Sequence, residues 1–388
     1  MEFLNRISTA HNVEDIIKEL TLDIQGPYDL GILFFSQYPY PRLQEILKGI
    51  TQKIPILNVL GCTCAGIIGS HEEVEERRGV SLLLARLPDV KITPFSLNQS
   101  RLLELEKEQD WYDFFNIFPN ENPVFLTLPD PFQFDTNRFL KKLKNAYPQA
   151  PVIGGLASAA MQASGNTLIL NDQLFHDGLI GLSLMGNVRV DTVVSQGCRP
   201  LGQTYIVTKA QDNIIYELGG RPFLETLRQV FTKASDRDKL LAQEAIFVGI
   251  VMDEYKHEYK RGDFLIRMVL KIDPQTGAGL IGDHIKTGQT VQFHVRDAQS
   301  ATEDLNALLT LQVNTNASRP KGALVFSCNG RGKHLFKEQN HDIRIIQTHL
   351  GPIPAAGFFC AGEIGPVVGQ NFLHGFTDSL ALFYPRKD

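Results

Sequence analysis

Hydrophobic positions along this chain fall into short apolar runs of strand length, separated by stretches with helical spacing. Gly31-Ile32-Leu33-Phe34-Phe35 predicts a buried strand. Leu43, Ile46, Leu47, Ile50 and Ile54 follow at helical spacing behind Pro41, which predicts a helix laying one face on a sheet. Residues 54–60 predict the next strand. Residues 80–84 and 90–95 predict two more, paired with each other across the Pro88-Asp89 turn. The order then returns: a strand at 124–128, a helix with Phe139, Leu140, Leu143 and Tyr147 on one face, and a strand at Val152-Ile153. Residues 195–202 break the periodicity and read as a crossover between halves. Beyond them come a strand at 204–208, a helix from Pro222, strands around 245–251 and 264–272, and a turn at 273–277. A capping box at 300–303 stands ahead of Leu305, Leu308 and Leu309. Alternation of this kind predicts an α/β, mixed α+β, fold.

The chain also repeats itself. Gly61-Cys62-Thr63-Cys64-Ala65-Gly66-Ile67-Ile68-Gly69 returns as Gly357-Phe358-Phe359-Cys360-Ala361-Gly362-Glu363-Ile364-Gly365. A looser third copy holds Gly154-Gly155-Leu156-Ala157-Ser158. Self-similarity of this kind means one supersecondary unit built several times. The expected architecture is two pseudo-repeated halves of strand–helix–strand–hairpin units around mixed sheets, with a cleft near the glycine turns. Residues 30–95 and 322–385 should superpose, with Gly79 and Gly375 opening the same strand.

Composition narrows the function. The 388 residues suffice for two domains. A net charge of −5, with no long basic run, points away from nucleic acid and anionic membranes. No apolar stretch reaches the roughly 18 residues of a membrane span, and the first residues do not read as a signal peptide. Five scattered cysteines without a CxxC pair predict free thiols in a reducing, cytoplasmic setting.

Candidate chemistry gathers at the glycine turns. Successive backbone N–H groups at Gly61, Cys62, Thr63 and Gly66, or at Gly357, Cys360 and Gly362, can bind a carboxylate or phosphate. Close strand packing is the plainer reason for those glycines. Glu363 interrupts an apolar run, so it must find a partner or shift its pKa. That partner is either a ligand ammonium or an internal guanidinium such as that of Arg331. The segment Asn329-Gly330-Arg331-Gly332-Lys333 fails both the P-loop and the G-x-G-x-x-G patterns. It remains as an anion-facing loop offering Asn329 and Arg331, or as a solvated turn. Cys62 and Cys64 stand too close for a zinc knuckle, so no metal site is expected. No G-x-S-x-G and no Ser/His/Asp order is present, so no catalytic residue is expected.

These residues resemble the FIST family of intracellular sensory domains. Cys198-Arg199-Pro200-Leu201-Gly202, Lys271-Ile272-Asp273-Pro274-Gln275-Thr276-Gly277, Phe293-His294-Val295-Arg296-Asp297-Ala298, Phe326-Ser327-Cys328-Asn329-Gly330-Arg331-Gly332 and the Gly357–Pro366 motif are similar to its signatures, in order. The resemblance implies a FIST N-terminal domain over 1–200 and a FIST C-terminal domain over 201–388. It implies a small-molecule ligand and, with no output domain recognised, a separate signalling partner such as a histidine kinase or a cyclic-dinucleotide enzyme. The family's first glycine turn usually carries a glutamate where this chain has Ile67. A second reading within the family is a haem-bound nitric oxide sensor. His374 is then the first choice of ligand, ahead of His176, among ten histidines. An enzyme or a scaffold using the same cleft is the reading from another class.

Overall fold

The apolar runs form strands where the pattern placed them, but their partners differ. A computed structural model describes residues 1–36 and 38–386. They divide into two units. One comprises Met1–Val194, Leu305–Leu373 and Thr377–Asp388, the other Ser195–Asp304 and His374–Phe376.

The first unit holds three copies of one motif. Copy 1 has a first strand Tyr28–Ser36, a helix Tyr40–Lys53, a second strand Ile56–Cys64 parallel to the first, and a last strand Gly79–Arg86 antiparallel to it. Copy 2 repeats this with Val124–Pro129, Thr136–Ala146, Val152–Gly155 and Leu179–Gly186. Copy 3 uses Gly322–Cys328, His341–Leu350, Ala355–Cys360 and Thr377–Tyr384. Parallel neighbours need a crossover, and the helix supplies it. Each helix buries one stripe: Leu43, Ile46 and Ile50; Phe139, Leu140 and Leu143; Ile343, Ile346 and Leu350.

Each copy also gives strands away. The hairpin between the second and last strands leaves its own sheet. Copy 1 sends Ile67–Ile68 to the second strand of copy 3, copy 2 sends Leu168–Leu170 to copy 1, and copy 3 sends Glu363–Val367 to copy 2. The outer strands rotate in the same sense. Glu2–Ser8 lies on the last strand of copy 1, Val90–Leu97 on that of copy 2, and Arg189–Gln196 on that of copy 3. Three six-stranded sheets result. Two expectations are corrected here. The repeat is threefold rather than two halves. Residues 80–84 and 90–95 do not pair, because Gly79–Arg86 already has Glu2–Ser8 on one edge and Tyr28–Ser36 on the other.

Register explains the recurring glycine. Gly61, Gly154 and Gly357 face Leu33, Thr127 and Val325 of the parallel strand. A Cβ there would lie 2.1, 1.8 and 2.0 Å from the facing carbonyl oxygens. Close backbone approach therefore excludes any side chain at all three.

The second unit is an antiparallel barrel. Cys198–Gln211, Thr290–Arg296, Ile246–Val251, Phe264–Ile272, Gly279–Ile281 and Ile214–Leu218 pair in that order, and the last closes on the first. Val207, Ile215, Phe223, Val248 and Phe293 are buried in its core. Residues 195–202, expected as an irregular crossover, are strand on either side of Gly197. Helix Ala298–Thr315 begins earlier than the expected capping box, because Asp297 accepts from the backbone N–H of Gln299 and the hydroxyl of Ser300. Among the described residues no helix is long and apolar enough to cross a membrane.

Candidate functional site

The threefold register sets equivalent positions side by side. One lies on the exchanged hairpin, against the residue that follows the recurring glycine. It is Ile67 opposite Phe358, Leu168 opposite Cys62, and Glu363 opposite Gly155. A second joins the first and last strands: Phe35 with Val80, Pro129 with Leu179, and Ser327 with Asp378. All of these residues are buried. Two copies fill the positions with apolar groups. Copy 3 fills them with two acids and a serine, at a desolvation cost the scaffold does not require.

More charge converges there. Arg331 follows the first strand of copy 3 and is 1% exposed. Its Nε and Nη2 donate to Asp342 Oδ2 and Oδ1 at 2.7 and 2.8 Å, a bidentate pair at the start of helix His341–Leu350. The Phe336 ring lies 5.2 Å from the guanidinium carbon and stacks on His341, whose Nδ1 is 2.9 Å from Asp342 Oδ1. The hairpin received from copy 1 brings in Glu73, whose Oε1 accepts the Ile343 N–H at 2.8 Å. The same hairpin brings Glu75, which accepts the Lys333 N–H at 3.0 Å. Gly332 has φ +57, and a Cβ there would meet the Glu75 carboxylate at 2.5 Å. Glu363 Oε2 accepts from the Thr377 hydroxyl at 2.7 Å and its N–H at 3.1 Å.

Five buried polar atoms of this cluster find no hydrogen-bond partner among the described residues: Arg331 Nη1, Glu73 Oε2, Glu363 Oε1 and both Asp378 carboxylate oxygens. Protonation follows from this arrangement. Burial pushes the Glu363 carboxyl up to about 8, against the opposing pull of the Thr377 hydrogen bonds and of Arg331. Burial, and then the Asp342 charge, pushes Glu73 up to about 8. Burial and Asp342 hold Asp378 well above its usual range, with Arg331 opposing. Burial would raise Asp342 as well, but the Arg331 charge and hydrogen bonds overcome it and keep that carboxyl low. The cluster is thus one ion pair beside three carboxyls held largely protonated. Loops following parallel strands are where open α/β sheets bind ligands. A groove of about 400 Å³, lined in part by His71, Asn340, Ile343 and Arg344, adjoins the cluster. Asn340 and Ile343 are the residues that bond Glu73, at 2.7 and 2.8 Å.

The FIST N domain matches residues 29–221 and the FIST C domain matches residues 224–366. The chain belongs to the FIST family. It is similar to the uncharacterized protein Rv0628c of Mycobacterium tuberculosis, 37% identical over 384 residues that cover 97% of this chain and 98% of the relative. It is also similar to the uncharacterized protein Mb0898c of Mycobacterium bovis, 36% identical over 354 residues that cover 91% and 90%. The FIST N match takes in copies 1 and 2 and the start of the barrel. The FIST C match begins in the barrel and ends within copy 3.

Of the residues singled out in this FIST sequence, Arg331, Cys360, Gly362 and Glu363 lie in or beside the copy 3 cluster. Arg331 pairs with Asp342 rather than with Glu363. Cys360 ends the second strand of copy 3 as a buried thiol, raised by burial and then by Glu363. Asn329 is exposed and donates its N–H to the Cys360 carbonyl. Gly61, Cys62 and Gly357 are buried mid-strand. The Thr63 hydroxyl accepts the Thr167 N–H at 2.8 Å. The turns use their backbone to join copies: Gly66 accepts from Phe359, and Gly362 accepts from Leu156. His374 is buried, and His176 Nδ1 is 3.0 Å from the Asn166 carbonyl. All five cysteines are buried, and none is joined in a disulfide. Among the described residues no group of three or more His, Cys, Asp or Glu is arranged to hold a metal ion.

Sequence reasoning missed Glu73, Asp342, Asp378 and Ser327. The equal spacing of Gly79 and Gly375 hid Asp378, because register gives the place of Val80 to Asp378 and leaves Gly375 outside the strand. An alignment in which Val80, Leu179 and Asp378 share one column would have exposed it.

Proposed function

We propose that this FIST protein is a sensor that binds a small organic cation, an amine or a guanidine, at the copy 3 carboxyl cluster. It performs no catalysis and passes its signal to a separate partner, such as a histidine kinase or a cyclic-dinucleotide enzyme. One observation carries the reading. Four carboxylate oxygens and one guanidinium nitrogen are buried without partners, and the positions of Glu363 and Asp378 are filled by apolar residues in the other two copies. A cation entering here would draw protons off Glu363 and Asp378 and convert neutral acids into charge-assisted acceptors. Arg331 Nη1 adds one donor for an acceptor on the same ligand. Membership of the FIST family supports the sensory role.

The test is a thermal-shift and calorimetric panel of primary amines and guanidines against the full chain, with native mass spectrometry of the freshly purified protein. At least one cation should bind with proton release, more tightly as pH rises towards 8. Glu363→Gln should weaken that binding by roughly 1.5–3 kcal/mol, the worth of a hydrogen bond to a charged group. If no amine or guanidine shifts the protein, or if the variant binds equally well, the reading fails.

A further inference from the structure

We propose a second ligand site in the barrel unit, suited to a small organic anion with a flat apolar body. The proposal does not rest on the carboxyl cluster. A cavity of about 560 Å³ opens between strand Cys198–Gln211 and helix Phe223–Lys233. That is the size of a small-molecule pocket. Its lining is mixed: Leu201, Leu218 and Val230 are buried and Tyr205 presents a half-buried ring, beside the buried Thr226 and the polar Gln203 and Ser235. Its rim carries two cations, Arg221 and Lys233. Arg221 donates to the neutral Gln229 at 2.7 Å. Among the described residues neither cation has a carboxylate within salt-bridge distance, whereas the rim's one acid, Asp238, is paired with Arg199. The pocket therefore keeps two positive charges beside an apolar patch formed by Leu201, Leu218 and Val230.

The Tyr205 hydroxyl adds direction. Burial raises its pKa and Arg221 is the charge that opposes the rise, so the phenol stays protonated beside the guanidinium. A planar Arg fork with a neighbouring O–H matches a carboxylate or sulfonate, while a flat hydrocarbon body fits against Tyr205 and Val230. The mouth is open at Gly219, where a Cβ would meet no atom within 4 Å.

The probe is 8-anilinonaphthalene-1-sulfonate, titrated by fluorescence into the full chain, with the uncharged N-phenyl-1-naphthylamine as its control. Saturable one-to-one binding of the sulfonate is expected, weakening with added salt. Arg221→Gln should raise its Kd about tenfold, the loss of one charge-assisted contact, and Tyr205→Phe about threefold. Arg221 is exposed and Tyr205→Phe keeps the ring while removing only its hydroxyl, so neither change disturbs the barrel core. Arg221→Gln should leave the uncharged probe unaffected. Sulfonate affinity unchanged in both variants would overturn the site. Equal weakening of the charged and uncharged probes in Arg221→Gln would overturn the assignment of an anion.

Discussion

Replacing Glu363 with Gln separates the titration of this side chain from its shape. The amide keeps an oxygen to accept from Thr377 but has no proton to lose in the accessible pH range. In the wild type the folded carboxyl titrates near 8 instead of its ordinary 4.5. The sign follows from that order. Below 4.5 both the folded and unfolded chains are protonated, so this carboxyl adds no pH dependence. Between 4.5 and 8 the unfolded chain has lost its proton and the folded chain has kept it. Stability therefore falls as pH rises, by up to about 1.4 kcal/mol per pH unit from this one group, and by roughly 5 kcal/mol across the window. Glu73 moves in the same direction but is present in both proteins, so it cancels in the difference. Trp111 is the only tryptophan in the sequence and is buried against Phe139 of the copy 2 helix, so its fluorescence reports unfolding of the threefold unit. Urea denaturation at pH 5, 6, 7 and 8 should show Glu363→Gln gaining on the wild type by several kcal/mol over the series. Parallel curves would mean that Glu363 is ionised and compensated in the folded state. A variant that loses ground as pH rises would refute the reasoning outright.

Other outcomes follow from the same geometry. Gly357→Ala places a methyl group 2.0 Å from the Val325 carbonyl and should cost at least about 3 kcal/mol in urea denaturation; a loss under about 1 kcal/mol would contradict the close approach. Asp342→Asn strands the buried Arg331 charge and should destabilise the protein by about 3–5 kcal/mol, whereas a change within experimental error would show that Arg331 is neutralised by another acid. Thiol titration without reductant should count five groups after denaturation and almost none in the native protein, and a count of three would reveal a disulfide.

Much of the fold was legible because it is local. A strand–helix–strand run writes its period into the chain, and the glycine forced by a facing carbonyl recurs as Gly61, Gly154 and Gly357. Strand exchange leaves no such mark. Residues 80–84 and 90–95 read as a hairpin because the Pro88-Asp89 turn is a local signal. Nothing nearby reveals that each strand finds its partners elsewhere in the chain. The site divides along the same line. Glu363 stood out as a charge in an apolar run. Asp342 looked like any acid in the first turn of a helix, where it favours the helix dipole. Glu73 and Glu75 sat in the charged stretch 72–78, which resembles a solvated loop until the exchanged hairpin carries them inside.

The rotation of strands among the copies bears on why one site can differ from its siblings. Three separate chains, each a single copy, would complete one another only as a ring-shaped trimer, and such a trimer must carry three identical pockets. Any acid placed at the position of Asp378 would then be buried three times over, with its desolvation penalty tripled. Joining the copies in one polypeptide removes that constraint. Two thirds of the ring can remain oily and supply stability, while the remaining third carries an arrangement of charges that a symmetric assembly could not sustain.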